Sequence, residues 1–249
     1  MPTKIIGPAG TPLDKKNDPR VMNETEVINV SNSFDNHVGY DGSSDINAER
    51  QYMLWEDMKY LADSVPDQGY GRAVLFFFGL NRSHLRYGVA VVPFRNANLE
   101  YDEVYAPTHH LVDNRLNTVG ATWADWQQHY KENVWFWRND GWQKGNAHDA
   151  RCVVMPYETE VWQLHEDNRT HYGQKEPHLA LNSISMVHTA NDGGNAGYRH
   201  GLCLYMATKQ VFGWNDMLDD HNTAVVYFFK GADFGNLCPP SCLRYAPPA

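Results

Sequence analysis

Cys152 is the side chain whose type best suits nucleophilic attack, and His148, Asp149 and His188 are the residues that could serve it as base and orienting group. A thiol attacks only as the thiolate, so this chemistry needs a base within hydrogen-bond reach and a third group to hold that base. Cys152, however, stands between Arg151 and Val153-Val154 in a run that reads as a strand, the setting of a buried, inert thiol. Four acids, Glu158, Glu160, Glu166 and Asp167, could pair for glycoside hydrolysis, and abundant aromatic rings would suit a sugar cleft. Sequence spacing does not set the distance between two carboxylates, and scattered surface acids are the plainer reading. No catalytic residue is assigned.

Metal chemistry has weaker support. His165, His171 and His178 are dense in sequence but lack ligand spacing, and the adjacent His109 and His110 would point to opposite faces of a strand. Cys238-Pro-Pro-Ser-Cys242 is the one close cysteine pair. Its two prolines stiffen the loop away from a zinc-binding turn, which leaves free thiols or a disulfide between Cys238 and Cys242. Gly193-Gly194-Asn195-Ala196-Gly197 lacks both the Lys-Ser/Thr of a phosphate loop and the strand-to-helix spacing of a dinucleotide site, and no G-x-S-x-G elbow occurs. The expectation is no metal and no cofactor.

These residues must be positioned by an architecture rich in strands. Residues 1–44, dense in Pro, Gly, Asn and Asp, read as an extended N-terminal arm with a short β-like run at Glu26 to Val30. Leu54, Trp55, Met58, Leu61 and Ala62 fall at helical spacing behind a capping Ser44 or Asp45, which predicts a helix over about 45–63. The apolar runs Arg72 to Leu80 and Leu85 to Phe94, parted by a polar break, predict a hairpin. A third strand is expected at Leu99 to Tyr105, a loop at Ala106 to Val119, a short helix from Thr122 to Tyr130, and strands at Asn133 to Arg138, Arg151 to Tyr157 and Glu160 to His165.

Leu179 to Val187 alternates as a strand and feeds a glycine-rich loop that carries Asn191, Asp192, Asn195, Tyr198, Arg199 and His200. Leu202 to Phe212 reads as helix, Thr223 to Phe229 as strand, and the Pro-rich end, including Tyr245, as an extended segment over the surface or a neighbour. Together these give a mainly β chain with peripheral helices, in which residues 45–249 form a single antiparallel β-sandwich domain, jelly-roll-like, behind the arm.

Composition excludes some partners. A net charge of -9 with scattered Lys and Arg is the opposite of a basic nucleic-acid surface. No window approaches a membrane span, and the N-terminus lacks the apolar region of a secretory signal, so the chain is expected to be cytosolic or already processed. With 14 Tyr, 10 Phe and 8 Trp, aromatic rings exceed what one core needs, and the surplus is expected at interfaces.

Pro177-His178 followed by Asn182-Ser-Ile-Ser185 and an apolar residue resembles a segment of the cypovirus polyhedrins, proteins of about this length, with the two motifs one residue further apart here. The likeness extends to the Gly/Asn-rich loop with a His, a helix and an aromatic strand, and covers about a quarter of the chain. It implies a structural protein of viral occlusion bodies. Such proteins pack as trimers into a crystalline lattice in the cytoplasm of infected insect cells, embed and protect virus particles, and dissolve in alkali. It also implies that the helix over 45–63, with Trp55 and Met58, or the arm before it, grips neighbouring copies. Asn182, Ser183, Ser185, Asn191, Asp192, Asn195, Tyr198, Arg199 and Tyr245 are the further contact candidates.

Alkali acts in the same sense on composition alone. Neutralising 9 Lys and ionising 14 Tyr takes the formal charge from -9 to about -32, and copies would repel. The alternative reading is an enzyme or carbohydrate-binding protein with an aromatic-lined cleft.

Overall fold

A run such as Ala73 to Phe78, apolar at every position, makes a strand only if both of its faces are covered. The computed structural model describes residues 5–6, 12–13, 21–22, 34, 38–40, 46, 51–112, 114–138, 141–144, 151–166, 177–188, 197–208, 231–232 and 236–238. In chain order its elements are β1 (Ile5–Ile6), β2 (Pro12–Leu13), β3 (Val21–Met22), β4 (Val38–Tyr40), β5 (Gln51–Leu54), α1 (Trp55–Asp63), β6 (Arg72–Asn81) and β7 (His84–Pro93). Then come β8 (His109–Val112), β9 (Arg115–Thr118), α2 (Thr122–Asn133), β10 (Val134–Arg138), β11 (Gly141–Lys144) and β12 (Cys152–Pro156). A π-helical turn (Tyr157–Val161), β13 (Pro177–His188), β14 (Gly197–Thr208), β15 (Gly231–Ala232) and β16 (Asn236–Cys238) complete them.

Two antiparallel sheets carry the fold. One runs β16-β12-β6-β7-β8-β9; the other is built on β11-β10-β14-β13-β5, with β15, β3 and β4 joined to its sides. Among the described residues β1 and β2 pair only with each other. The inner faces share one core, in which Val74, Phe76 and Phe78 of β6 and Tyr87 and Val89 of β7 meet Leu179 and Leu181 of β13 and Leu202, Leu204 and Met206 of β14. The outer face of the six-stranded sheet carries Leu75, Phe77, Cys152 and Val154, and is covered by Trp123 of α2 with Phe94 and Tyr101. β6 is therefore buried on both sides, which accounts for its unbroken apolar run. The fold is a mainly β sandwich with peripheral helices, as the sequence predicts. Close approach of the covering layer depends on Gly88, where a Cβ would lie 2.7 Å from Pro107 and 2.9 Å from Trp123.

α1 buries Trp55, Met58, Leu61 and Ala62 and is tied down at its C-terminal end by Arg72. The guanidinium donates to the Ala62 carbonyl at 2.5 Å and to Glu158 at 2.7 Å, satisfying a terminal helix carbonyl with a cation.

Several boundaries differ from expectation. The helix begins at Trp55, not Asp45, because Gln51–Leu54 pairs as a strand with His178–Leu181, and the Tyr52 amide donates to Asn114 Oδ1 at 2.8 Å. Leu99 to Tyr105 is not a strand. Asn96 takes amides from Asn98 and Leu99 and donates to Glu100, and Leu99 sits at φ 56°, so local side-chain bonding wins over the ladder. Ala106 to Val119 contains the hairpin β8–β9, turned at Asn114 with φ 58°. Glu160 to His165 is helical, since Tyr157, Val161, Leu164 and His165 recur at helical spacing and are buried. Leu202 to Thr208 belongs to strand β14, with Leu202, Leu204 and Met206 alternating inward. The runs at Glu26 to Val30 and Thr223 to Phe229 lie outside the described residues.

Candidate functional site

The densest polar constellation sits between the sheets. β13 and β14 pair in register over twelve positions, with Ser185 opposite His200, so Ser183 is the diagonal neighbour of His200 on the same hairpin. Ser183 Oγ lies 2.7 Å from His200 Nε2, and on its other side it meets the Tyr87 hydroxyl from β7 in a very short hydrogen bond. His200 Nδ1 lies 2.8 Å from the Tyr130 hydroxyl of α2. The Phe78 ring stacks on the imidazole with centroids 3.7 Å apart, and Phe34 lies tilted against it at 4.8 Å.

A neutral imidazole has one N–H and one lone pair, so the hydrogen bonds run in a single direction. Either Tyr130 donates to Nδ1, Nε2–H donates to Ser183 and Ser183 donates to Tyr87, or every bond is reversed. Burial holds His200 well below the usual histidine range, which keeps the ring neutral. The spacing would suit a serine nucleophile and its base, but His200 is 0% and Ser183 2% exposed. No substrate carbonyl can reach Oγ while the sandwich is closed. What the arrangement does is join β7, β13, β14 and α2 through directional bonds, which fixes how the two sheets sit on one another.

A second cluster surrounds α1. Trp55 stacks on His165 at 4.1 Å, and Tyr157 and Trp162 pack about it, with the Arg72 guanidinium 5.3 Å above the Tyr157 ring. Glu158, which accepts from both the Arg72 backbone amide and its side chain, is part of the same assembly. No family model, no curated protein and no solved structure matches the chain.

The residues singled out by sequence are dispersed. Cys152 is fully buried on the outer face of the six-stranded sheet, and burial pushes its thiol up to about 12, so the thiolate is scarce. His188 ends β13 in the other sheet, and His148 and Asp149 lie outside the described residues. Glu158 is committed to Arg72, Glu160 is buried, Glu166 lies 3.3 Å from His165 Nδ1, and Asp167 lies outside the described residues. His109 and His110 stand on β8, the first half-buried and the second buried beside Trp123 and Trp126. His165 and His178 are both buried, and His171 lies outside the described residues.

Of the contact candidates, Trp55 and Met58 are 3% and 0% exposed and Ser183 is in the core, so within the chain these three are already enclosed and cannot touch a neighbouring copy. The physical reason is the helical stripe itself: the face that carries Trp55 and Met58 is the one that binds α1 to the sandwich. Asn182, Ser185, Tyr198 and Arg199 have backbones in the β13–β14 hairpin, and their side chains lie outside the described residues, as do Asn191, Asp192, Asn195 and Tyr245. Tyr198, Arg199 and His200 are thus strand residues rather than loop residues. Cys238 stands in register opposite Cys152, and Cys242 lies outside the described residues.

Sequence reasoning missed Tyr87 and Tyr130 as partners of the buried serine and histidine. The period-two burial of Leu85, Tyr87 and Val89 was the available signal for one of them, since it puts a hydroxyl-bearing ring among inward apolar residues.

Proposed function

We propose that the chain is a self-assembling structural protein whose copies build a crystalline lattice of the occlusion-body kind, as the resemblance to the cypovirus polyhedrins implies. The observation that carries this reading is where large rings stand free of the body. Tyr60 on α1 is 71% exposed, Tyr70 in the turn before β6 is 46%, and Tyr105 is 66%. Tyr60 and Tyr70 flank the start of β6, whereas Tyr105 packs on Arg151, whose carbonyl takes the amide of Phe78 six residues along that strand, about 20 Å away. A substrate cleft gathers its rings around one cavity. Rings at two ends of a body suit contacts with different copies.

The gripping surface of α1 is then its outer side, Tyr60 with the half-exposed Leu54, while the buried stripe anchors the helix. On this reading the partners are other copies, arranged as trimers, and virus particles, and the lattice forms in the cytoplasm of the infected cell. The enzyme alternative has less support, because the one Ser–His pair in nucleophile geometry among the described residues is sealed.

The test is expression of the untagged chain in insect cells. Dense crystalline particles that persist in neutral buffer and dissolve above about pH 10 are expected, and Tyr60→Ser should cut their yield without changing the thermal midpoint of the dissolved subunit. A chain that stays monomeric at high concentration, by sedimentation, refutes the proposal.

A further inference from the structure

We propose that Cys152 and Cys238 form a disulfide site that fastens β16 to the edge of the six-stranded sheet under oxidising conditions. The antiparallel register places Cys238 directly opposite Cys152, with Leu237 opposite Val153 and Asn236 opposite Val154. The Arg151 carbonyl accepts from the Phe78 amide at 3.0 Å, toward β6, so the backbone of the next residue, Cys152, faces the other neighbour, β16. Cys152 and Cys238 are therefore a hydrogen-bonded antiparallel pair, with Cα atoms about 5.5 Å apart. Disulfides span Cα separations of about 4.4–6.8 Å, a range this pair meets, but they also need Cβ atoms about 3.5–4.5 Å apart, whereas a hydrogen-bonded pair holds them about 5.5 Å apart, so β16 must draw in toward β12 as the bond closes.

The pairing differs from the one that sequence proximity offers, Cys238 with Cys242. Cys203, the fourth cysteine, belongs to β14 in the other sheet.

β16 is a three-residue strand at the end of its sheet, paired among the described residues only to β12, so it is among the first elements to open. Opening matters because Cys152 is fully buried, and its thiol is pushed up by that burial. With a low-molecular-weight disulfide such as oxidised glutathione, one protein thiolate attacks a glutathione sulfur and expels a glutathione thiolate. The second protein thiolate then attacks the mixed disulfide and expels the other. Two protein thiols lose two protons and two electrons, and two glutathione thiols are formed.

The experiment uses the full chain as dissolved subunits, equilibrated with excess oxidised glutathione in native buffer and again at a urea concentration just below the unfolding transition, where β16 opens. Free thiols are trapped with N-ethylmaleimide before tryptic mapping. Cleavage after Arg151 and Lys230 leaves Cys152 on one peptide and Cys238 with Cys242 on another, so Cys242→Ser separates the two possible links.

The expected result is a cross-link between these peptides that survives Cys242→Ser and is lost in Cys238→Ser and in Cys152→Ala. The oxidised chain should melt roughly 5–15 °C above the reduced one. A bond confined to the Cys238–Cys242 peptide, or four alkylated thiols under both conditions, overturns the proposal. Because Cys238→Ser lies on an edge strand, it keeps the test valid should Cys152→Ala fail to fold.

Discussion

Raising the pH from 8 to 11 should weaken the folded body itself by about 5 kcal/mol, apart from any effect on contacts between copies. Three acids buried in the structure set this figure. Burial pushes the Cys152 thiol up to about 12, and burial likewise carries the hydroxyls of Tyr101 and Tyr157, 0% and 3% exposed, well above the ordinary tyrosine range. In the unfolded chain the thiol ionises near 9 and the phenols near 10. Between those values and the folded ones the unfolded chain binds fewer protons. Stability is therefore complete below about pH 9 and falls as the pH rises.

At pH 11 the thiol contributes about 2.7 kcal/mol of loss and each phenol about 1.4 kcal/mol. Against a typical domain stability of about 5–15 kcal/mol, that is a large fraction. Urea unfolding followed by far-ultraviolet circular dichroism at pH 8, 10 and 11, at constant ionic strength, measures it. Tyr157→Phe isolates one part, because the Tyr157 hydroxyl is buried without a hydrogen-bond partner among the described residues. That variant should match the parent at pH 8 and exceed it by about 1.4 kcal/mol at pH 11. Equal stability of the parent at pH 8 and 11, or an identical loss in Tyr157→Phe, would refute the reasoning.

Three further outcomes are expected. Ser183→Ala removes the link between Tyr87 and His200 and should destabilise the subunit by about 1–3 kcal/mol in urea unfolding. Gly88→Ala drives a Cβ against Pro107 and Trp123 and should cost about 1–3 kcal/mol or prevent folding, read as a lowered thermal midpoint and a red-shifted tryptophan emission. On the acid side, His200 is held neutral by burial, so its contribution is complete above the ordinary histidine value and is lost as the pH falls. Stability should fall as the pH drops through the ordinary histidine range, read by urea titration between pH 7 and 4.5, and a curve flat across that range would contradict it.

The hairpin β6–β7 was legible because its apolar runs exceed what a one-sided strand needs, and because Asn81-Arg82-Ser83 offers a turn, where Arg82 indeed takes φ 56°. β13 was legible from its alternation. The failures have separate causes. In the stretch 99–105, Asn96 bonds to its own neighbours; in 160–165, the helix shows only in the spacing of buried Tyr157, Val161, Leu164 and His165; in β14, glycines that suggest a loop lie where the chain runs as a strand from Gly197. The buried constellation was less legible still. Ser183 reaches His200 through the β13–β14 pairing, 17 residues apart, but Tyr130 lies 70 residues from His200 and Tyr87 lies 96 from Ser183, so the packing of the second sheet and α2 is what completes the group.

The placement of Ser183 changes what the short Asn182-Ser-Ile-Ser185 likeness can support. One member of that motif is a core residue that ties two sheets, so the likeness bears on how a body is built as well as on how bodies meet. Alkaline release then has two possible routes, loosened contacts or softened subunits, and they differ in order. If contacts yield first, particles brought to about pH 10 release subunits with a native β spectrum that reassemble on neutralisation, since the body has by then lost only about 2 kcal/mol. If the body yields first, the β signal and the particles disappear together, and Tyr157→Phe shifts both to higher pH. The buried phenols and thiol place the steep loss of subunit stability nearer pH 11, so contact failure is expected first; simultaneous loss of both at pH 10 would contradict that order.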